Sequence, residues 1–345
     1  MKNRLALAPL TNMQSREDGR LSDDEYRWLT MRAEGGFGLT MTCAAHVQAT
    51  GKGFSGQLGC FSDDQLPGLT RLAAGIRAHD SLAVVQLHHA GMRSPPDLID
   101  GQPVCPSADE ETGARALTTA EVERLAEDFV AAAKRAERAG FDGVELHGAH
   151  GYILCQFLSP VINRRADRYG GSPENRARIV LEIIRGIRER CRPDFLLGIR
   201  LSPERFDVRL PEIRDLAARL MRDGAVDFID LSLWDAFKEP EDPEDSEFRG
   251  RTLLSLFTEL ERGEVRLGAA GRLRTPADVQ ACLDAGTDFV LLGRAAILHH
   301  DFPARMRHDA GFAPIRPPVS ADYLRTEGLG EAFVTYMSRW KGFVA

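Results

Sequence analysis

The chain has 345 residues, of which 28% are charged and 43% are apolar, the balance of a folded domain rather than of a disordered chain. Its 44 Lys and Arg residues against 51 Asp and Glu residues give a formal charge of −7, which provides no basic surface for nucleic acid or for an anionic membrane. No apolar run approaches the roughly 20 residues that span a bilayer, and the N-terminus lacks the pattern of a signal peptide. The cysteines show no C-x-x-C spacing and so predict neither a disulfide framework nor a zinc or iron–sulfur cluster. We therefore expect a cytoplasmic protein with free thiols.

Short β-type runs alternate with amphipathic helical runs from the first residues onward. The predicted strands are Arg4–Leu10, Gly38–Val47, Leu82–Leu87, Gly143–His147, Phe195–Leu201, Asp227–Leu233, Glu264–Gly271 and Asp288–Gly293. The predicted helices are Asp23–Glu34, Leu66–His79, Ala120–Ala139, Ser172–Cys191, Glu212–Asp223, Leu253–Glu261 and Thr275–Ala285. Ser172 and Thr275 are typical N-caps because each precedes a proline at the first helical position.

This alternation, with one more helical stretch after Gly293, forms a βα repeat along most of the chain. An open doubly wound sheet and a closed barrel both fit such a repeat. Eight uninterrupted units favour the α/β fold of a (β/α)8 TIM barrel. Since no Ser- or Pro-rich linker divides the chain, we predict a single domain over residues 1–345, with a C-terminal helical extension from about residue 300. The acidic run 238–246 after the sixth strand is predicted to be a solvated loop.

The segment Gly51-Lys-Gly-Phe-Ser-Gly56 matches the dinucleotide-binding pattern G-x-G-x-x-G. That pattern binds a pyrophosphate only where a helix begins directly behind the glycines. Residues 57–63 do not have a helical pattern, so we interpret the segment as a βα loop.

Polar side chains gather where the fourth strand ends, at the face of a barrel that carries function. Glu145 and His147 point to the same side of this strand, and His150 and Tyr152 follow it. Two imidazoles and a phenol supply hydrogen-bond donors and a weak acid. From the residues alone, a hydrogen-bonded structural cluster and a two-histidine metal site both stay open, although no third metal ligand stands in sequence with them.

Cationic and glycine residues end several later strands. Arg200 ends the fifth strand, where a buried guanidinium needs an anionic or carbonyl partner from the protein or from a ligand. Gly271 and Gly293 end the seventh and eighth strands, where barrels commonly bind phosphate with backbone N–H groups, and Arg294 can add a bidentate contact. A phosphate-bearing cofactor whose ring lies over Arg200 would explain both features.

The chain resembles the Old Yellow Enzyme family of FMN-dependent ene-reductases over most of its length. The matching blocks run Ala8-Pro-Leu-Thr11, Arg32-Ala-Glu-Gly-Gly-Phe-Gly38, Gln86-Leu-His-His-Ala-Gly91, His147-Gly-Ala-His-Gly-Tyr-Ile-Leu-Cys-Gln-Phe-Leu-Ser-Pro160 and Asn163-Arg-Arg-Ala-Asp-Arg-Tyr-Gly-Gly-Ser172. The resemblance implies a barrel with tightly but non-covalently bound FMN, and NADPH or NADH as the reductant. It also implies that the residues at the flavin ring are Ala8, Pro9, Leu10, Thr11, Ala44 and Gln86.

The remaining roles follow from the same resemblance. Arg200 would stand beside N1 and the C2 carbonyl of the flavin, and a phosphate group would be held by Gly271, Gly293 and Arg294. The acceptor's oxygen would lie between His147 and His150, and Tyr152 would be the proton donor. The expected partner is a small activated alkene such as an α,β-unsaturated carbonyl compound, and a homo-oligomer stays open.

Other functions were weighed against this one. A dienoyl-CoA reductase-like enzyme, or another flavin oxidoreductase with a different acceptor, would use the same barrel, but the former adds an iron–sulfur cluster for which no cysteine cluster exists. A Schiff-base aldolase needs a lysine at a strand end, and no lysine of this chain falls within a strand. A flavin-binding role without catalysis is disfavoured because His147, His150 and Tyr152 are all present.

Two segments depart from the family's pattern. Met92 stands where the family usually has an arginine directly after Ala-Gly, so that contact is in doubt. The aromatic C-terminus, Tyr336 to Phe343, matches no part of the pattern, and we expect it to serve in packing or in a subunit contact.

Overall fold

The strands close into a parallel barrel in the computed structural model, which describes residues 1–241 and 248–345. The strands in those ranges are β1 (Leu5–Leu7), β2 (Leu39–His46), β3 (Leu82–His88), β4 (Val104–Cys105), β5 (Arg115–Ala116), β6 (Gly143–Gly148), β7 (Leu196–Leu201), β8 (Phe228–Ser232), β9 (Arg266–Ala270) and β10 (Phe289–Leu292). β4 and β5 form a separate pair, and the barrel order is β1-β10-β9-β8-β7-β6-β3-β2. The predicted (β/α)8 TIM barrel is therefore confirmed, and the open sheet is excluded.

Helices surround this barrel and follow its strands. They are α1 (Asp23–Glu34), α2 (Leu66–Arg77), α3 (Pro96–Ile99), α4 (Thr119–Arg138), α5 (Ile153–Leu158), α6 (Pro173–Arg190), α7 (Leu210–Arg222), α8 (Leu253–Thr258), α9 (Pro276–Asp284), α10 (Arg294–Leu298), α11 (Phe302–His308), α12 (Ala321–Thr326) and α13 (Glu331–Ser338). None of the helices in the described ranges is long and apolar enough to cross a membrane. The Ser172 and Thr275 caps are confirmed, since each side-chain oxygen accepts a backbone N–H from the first turn of its helix.

The barrel interior is filled in its lower part by alternating small and large residues. The Phe228 and Phe289 rings meet edge to face at 6.0 Å. A Cβ atom on Gly198 would lie 2.1 Å from the Phe228 ring, and one on Gly268 would lie 2.3 Å from the Phe289 ring. These two glycines therefore make room for the two phenylalanine rings, which fill the lower part of the barrel. The polar residues of the interior lie above them.

The structure tests the predicted loop at residues 51–56 but does not describe most of the acidic run. Ala49–Gly51 forms one turn of 3-10 helix, and no α-helix follows it before α2, so the loop interpretation is confirmed. Residues 242–246 of the acidic run lie outside the described residues.

The C-terminal segment 312–345 folds back over the mouth of its own barrel. Gly330 N donates to Gln14 Oε1 at 2.7 Å, and Phe333 packs edge to face on Trp28 at 4.9 Å. The last residues pair with Val319, which accepts a backbone hydrogen bond from Ala345 at 2.9 Å. This segment contains α12 and α13 and brings α13 against the site described next.

Candidate active site

A cavity of about 190 Å³ opens at the C-terminal ends of the barrel strands. It gathers most of the predicted site residues in one place: Pro9, Leu10, Thr11, Ala44, Gln86, His147, His150, Tyr152 and Arg294. Residues from β1, β2, β3 and β6 or just after them thus converge, as expected for the loop face of a barrel.

Four predicted residues do not line this cavity. Ala8 is buried beneath it in the barrel core, and its N–H donates to Leu292 O at 3.0 Å. Arg200 lies inside the barrel on β7, and Gly271 and Gly293 lie at the ends of β9 and β10. A Cβ atom on Gly271 would lie 2.8 Å from the backbone nitrogen of Ala236, so the glycine permits a close approach of two loops.

A layer of buried polar side chains lies on the strands below the cavity. Gln86 Nε2 donates to Glu145 Oε1 at 2.7 Å, and Arg200 Nε lies 3.1 Å from Asp230 Oδ2. The second Glu145 oxygen, both Asp230 oxygens and Arg200 Nε form no hydrogen bond of good geometry. Burial raises the pKa of Asp230 to about 6, and burial together with the Asp230 charge raises the pKa of Glu145 well above its ordinary value. Glu145 is therefore neutral, and Arg200 and Asp230 form the charged pair of this layer.

The histidine pair forms a directed chain of hydrogen bonds. His147 Nδ1 accepts the Ala149 backbone N–H at 3.3 Å, and His147 Nε2 lies 3.3 Å from His150 Nδ1. His150 Nε2 lies 2.7 Å from Ser232 Oγ at the end of β8. Burial holds the pKa of His147 well below its ordinary value and lowers that of His150 to about 3, so both rings are neutral.

Backbone conformation at the end of β6 sets the position of this pair. His150 has φ 60° and Gly151 has φ 69°, so two consecutive residues adopt the left-handed conformation. The Ser202 hydroxyl accepts the His150 backbone N–H at 3.1 Å and fixes the turn. The strain of a non-glycine residue in this conformation is typical of a functional position.

Tyr152 lies among these rings with its hydroxyl protonated, as for any phenol at neutral pH, and burial raises its pKa further. Its ring packs edge to face on His88 at 4.3 Å and on His147 at 5.0 Å. The Arg93 guanidinium lies over the Tyr152 ring at 5.0 Å and donates to the carbonyl oxygen of His150. Position 92 has methionine in place of the family's arginine, and the next residue, Arg93, brings a guanidinium to this region.

Unpaired cations surround a second opening beside the cavity. A cleft of about 610 Å³ is lined by Arg274, Arg294, Arg316 and Lys341, none of which forms an ion pair within the described residues. Arg294 and Trp340 border both the cavity and the cleft. The excess of these four cations over the one carboxylate of the lining, Asp278, favours a bound anionic group such as a phosphate.

The residues present therefore suit a flat, carbonyl-bearing ring attached to a phosphate. Apolar Pro9, Leu10 and Ala44 can contact a ring face, Gln86 and buried Arg200 offer donors to ring carbonyls, and Arg294 leads to the cationic cleft. The orphaned nitrogen of Arg200 indicates that its pairing within the protein is incomplete. A flavin mononucleotide has this combination of groups.

The sequence model of the NADH:flavin oxidoreductase / NADH oxidase family matches residues 1–311. The chain belongs to this family. It is therefore an oxidoreductase, and its cofactors are FMN and a reduced nicotinamide nucleotide. The resemblance recognised in the sequence is confirmed.

Individual relatives agree with this membership. The chain is 36% identical over 318 residues to a probable NADH-dependent flavin oxidoreductase of Bacillus subtilis, covering 89% of this chain and 84% of the relative. It is 33% identical over 318 residues to the NADH oxidase of Thermoanaerobacter brockii, covering 89% of this chain but only 49% of that longer protein. The structure of an Old Yellow Enzyme homologue from Zymomonas mobilis superposes with a TM-score of 0.80 at 25% identity, covering 97% of this chain and 95% of the other.

Sequence reasoning missed several residues of the site. Phe54, Ile297, Tyr336, Met337 and Trp340 also line the cavity. Phe54 comes from the glycine-rich loop, so this loop contributes a cavity wall rather than a pyrophosphate site. The last three come from the C-terminal segment, which packs onto its own barrel and forms a wall of the cavity, a role that we did not predict for it. No motif marks Tyr336, Met337 and Trp340, which lie beyond the family match that ends at residue 311.

Proposed function

We propose that this protein is an NAD(P)H-dependent FMN ene-reductase that reduces activated C=C bonds, such as those of α,β-unsaturated carbonyl compounds. The observation that carries the proposal is the convergence of His147, His150 and Tyr152 on the cavity whose other walls suit a flavin ring. Two neutral imidazoles beside a protonated phenol provide hydrogen bonds for an oxygen and a proton for a carbon.

FMN would be held non-covalently by residues at the ends of several barrel strands. Its ring would contact Pro9, Leu10, Thr11, Ala44 and Gln86, with Ala8 in the core beneath them, and its phosphate would bind at Gly271, Gly293 and Arg294. When bound, FMN would supply the hydride-transfer chemistry, with NADH or NADPH as the reductant. The protein supplies binding, orientation and electrostatics for both halves.

Arg200 would provide the fixed positive charge at the ring. Its partner Asp230 is within ion-pair distance, while neighbouring Glu145 is neutral because burial raises its pKa. The buried layer is thus close to electrically neutral, and the guanidinium is held in place to stabilise negative charge that develops above it. A lysine could not reproduce the planar fork of donors.

The chain's own residues would act on the acceptor at two atoms, the carbonyl oxygen and the α-carbon. His147 and His150 would donate hydrogen bonds to the carbonyl oxygen and so draw electrons away from the alkene. The Tyr152 hydroxyl would give its proton to the α-carbon while hydride arrives at the β-carbon. A phenol is protonated at neutral pH, and burial raises the pKa of Tyr152 further, so the hydroxyl holds the proton that the α-carbon would receive.

Anaerobic spectroscopy of the purified protein tests the proposal. We expect a yellow protein whose flavin absorbance bleaches with NADH or NADPH and returns on addition of cyclohexenone. A colourless protein that cannot be reconstituted with FMN would contradict the flavin site. If a quinone restored the absorbance but enones did not, the protein would be a flavin oxidoreductase with a different acceptor.

A further inference from the structure

Both N–H groups of the histidine pair are engaged within the protein. Because His147 Nδ1 accepts the Ala149 N–H, the proton of this neutral ring is on Nε2. That proton points at His150 Nδ1, only 3.3 Å away, so the His150 proton is on Nε2 and is donated to Ser232 Oγ at 2.7 Å. The chain runs from the Ala149 backbone through both rings to Ser232, and it leaves no N–H for a ligand.

An acceptor's oxygen between the two rings needs the opposite arrangement at His150. His147 Nε2–H can already point at such an oxygen, but His150 must present a proton on Nδ1. In a neutral imidazole, Nε2 must then become an acceptor and must find a donor. Charging the ring instead is unfavourable, because burial lowers the pKa of His150 to about 3.

Ser232 is the group that can answer both needs. A hydroxyl has one donor and two acceptor sites, so it accepts from His150 Nε2–H in one state and donates to bare Nε2 in the other. Its position follows from the strand, because Asp230 and Ser232 are two residues apart on β8 and point into the barrel together. Asp230 meets Arg200 in the buried layer, and Ser232 meets His150 one layer higher.

We propose that Ser232 is a positioning residue that sets the tautomer of His150 and thereby lets the histidine pair bind the acceptor's oxygen with two N–H groups. This inference rests on the oxygen site of the proposed function. When the oxygen binds, His150 releases the Nε2 proton to solvent and takes a solvent proton at Nδ1, so the ring stays neutral. The Ser232 hydroxyl turns at the same time from acceptor to donor, and no charge is added to the buried site.

The test is a double-mutant cycle on phenolate binding to the oxidised holoenzyme. The probe is p-hydroxybenzaldehyde, whose oxygen would occupy the same position and whose stacking on flavin gives a long-wavelength charge-transfer band. We expect Ser232→Ala to raise the Kd of this probe roughly tenfold, the loss of about one hydrogen bond to a charged oxygen. Ser232→Thr keeps the hydroxyl and should restore affinity. In a His150→Ala background, Ser232→Ala should change the Kd no further.

Ser202→Ala is the matched control, since the Ser202 hydroxyl is hydrogen-bonded to the backbone N–H of His150 and not to its ring. Ser202→Ala leaves the hydrogen bond between the His150 ring and Ser232 in place, so it should raise the Kd less than Ser232→Ala does. The inference would be overturned if Ser232→Ala bound the probe with wild-type affinity. It would also be overturned if Ser232→Ala raised the Kd as much in the His150→Ala background as in the wild type. Either result would leave the proposed function standing. A wild-type holoenzyme that holds FMN but does not bind the phenol would overturn the oxygen site of the proposed function as well.

Discussion

Tyr152 is the residue on which the proposed chemistry depends most directly. Its phenol is protonated at neutral pH, burial raises its pKa further, and its ring packs on that of His147. Removing only the hydroxyl with Tyr152→Phe should leave FMN binding and its reduction by NADH nearly unchanged. Reoxidation by cyclohexenone should slow by about 10² to 10⁴, the usual worth of a positioned general acid.

A quinone oxidant provides the internal comparison for that variant. Its reduction requires no proton at carbon, so Tyr152→Phe should be reoxidised by the quinone at a nearly normal rate. Stopped-flow traces at flavin wavelengths would follow both oxidants. If Tyr152→Phe were reoxidised by both the enone and the quinone at the rates of the wild type, another group would protonate the carbon.

The buried His89 ring makes the stability of the folded chain depend on pH. The ring is buried, accepts the Gly91 N–H on Nδ1 at 2.9 Å, and lies 3.1 Å from Gln48 Oε1 through Nε2. Both nitrogens are thus used in the neutral form, and burial lowers the pKa of His89 to about 3. The neutral ring therefore contributes to the free energy of unfolding. This contribution is fully present above the unfolded pKa near 6.5 and is lost as the pH falls towards 3.

The variant His89→Gln should remove that pH dependence. Between pH 7 and pH 5, the free energy of unfolding should fall by about 2 kcal/mol less in the variant than in the wild type, since one proton fewer is taken up on unfolding. Urea denaturation at the two pH values measures the difference. His308→Gln changes an exposed ring and should keep the wild-type dependence. Parallel slopes for His89→Gln and the wild type would refute the assignment.

Local spacing revealed some site residues and concealed others. His147, His150 and Tyr152 are close in sequence at a strand end, so one motif was enough to group them. Ser232 is 82 positions from His150, and a single serine at a strand end carries no signal of its own. The pairing depends on barrel closure, which sequence spacing does not specify.

At the scale of single elements, the barrel strands were predicted to within three residues at each end. The largest difference is at β1, which was predicted to run to Leu10 but ends at Leu7. Ala8 N still donates to Leu292 O, whereas Pro9 has no N–H with which to continue the ladder. The chain is thereby released at the cavity, where Pro9 and Leu10 form a wall.

The close contact of Gly198 with Phe228 makes β7 sensitive to a single methyl group. Gly198→Ala would place a Cβ atom 2.1 Å from the ring, so the strands must shift or the ring must turn. We expect a loss of about 1–3 kcal/mol in the free energy of unfolding, as for other overpacked cores. Urea denaturation measures it, and the added substitution Phe228→Leu should recover part of the loss.

Gly101→Ala is the comparison for this substitution. Its Cβ atom would meet nothing closer than 3.8 Å, so only a small change in stability is expected. Similar stabilities for the two alanine variants would mean that the barrel interior accommodates the methyl group without cost.

The whole molecule should be stabilised by its cofactor, because the cationic cleft and the cavity are both assembled only in the folded chain. FMN at 100 times its Kd should raise the free energy of unfolding by about 2.7 kcal/mol, visible as a higher Tm. Riboflavin at the same concentration should stabilise less, because it lacks the phosphate that Arg294 would bind. Arg294→Met should reduce the effect of FMN towards that of riboflavin.

Equal stabilisation by the two flavins in the wild type would place the phosphate away from the cleft. If FMN stabilised the wild type and Arg294→Met equally, Arg294 would not bind the phosphate, but the cleft could still hold it.

The contacts of the C-terminal segment support the proposal that residues 1–345 form a single domain. Gly330 is tied to Gln14 across almost the whole sequence, and Met337 is buried against the site. Composition predicted the absence of a linker, but it could not show where the aromatic residues pack. A segment that matches no family pattern can be placed only by its contacts in the folded chain.

The position of Trp340 in a cavity wall has a practical consequence for handling the enzyme. Ala345 lies only five residues after Trp340, and its N–H donates to Val319 O. A purification tag or a surface linker fused at Ala345 would therefore disturb the packing of the cavity wall. Met1 is 53% exposed and precedes β1 at the opposite end of the barrel. Immobilisation on a support should therefore use the N-terminus, which leaves the open end of the barrel facing the reaction medium.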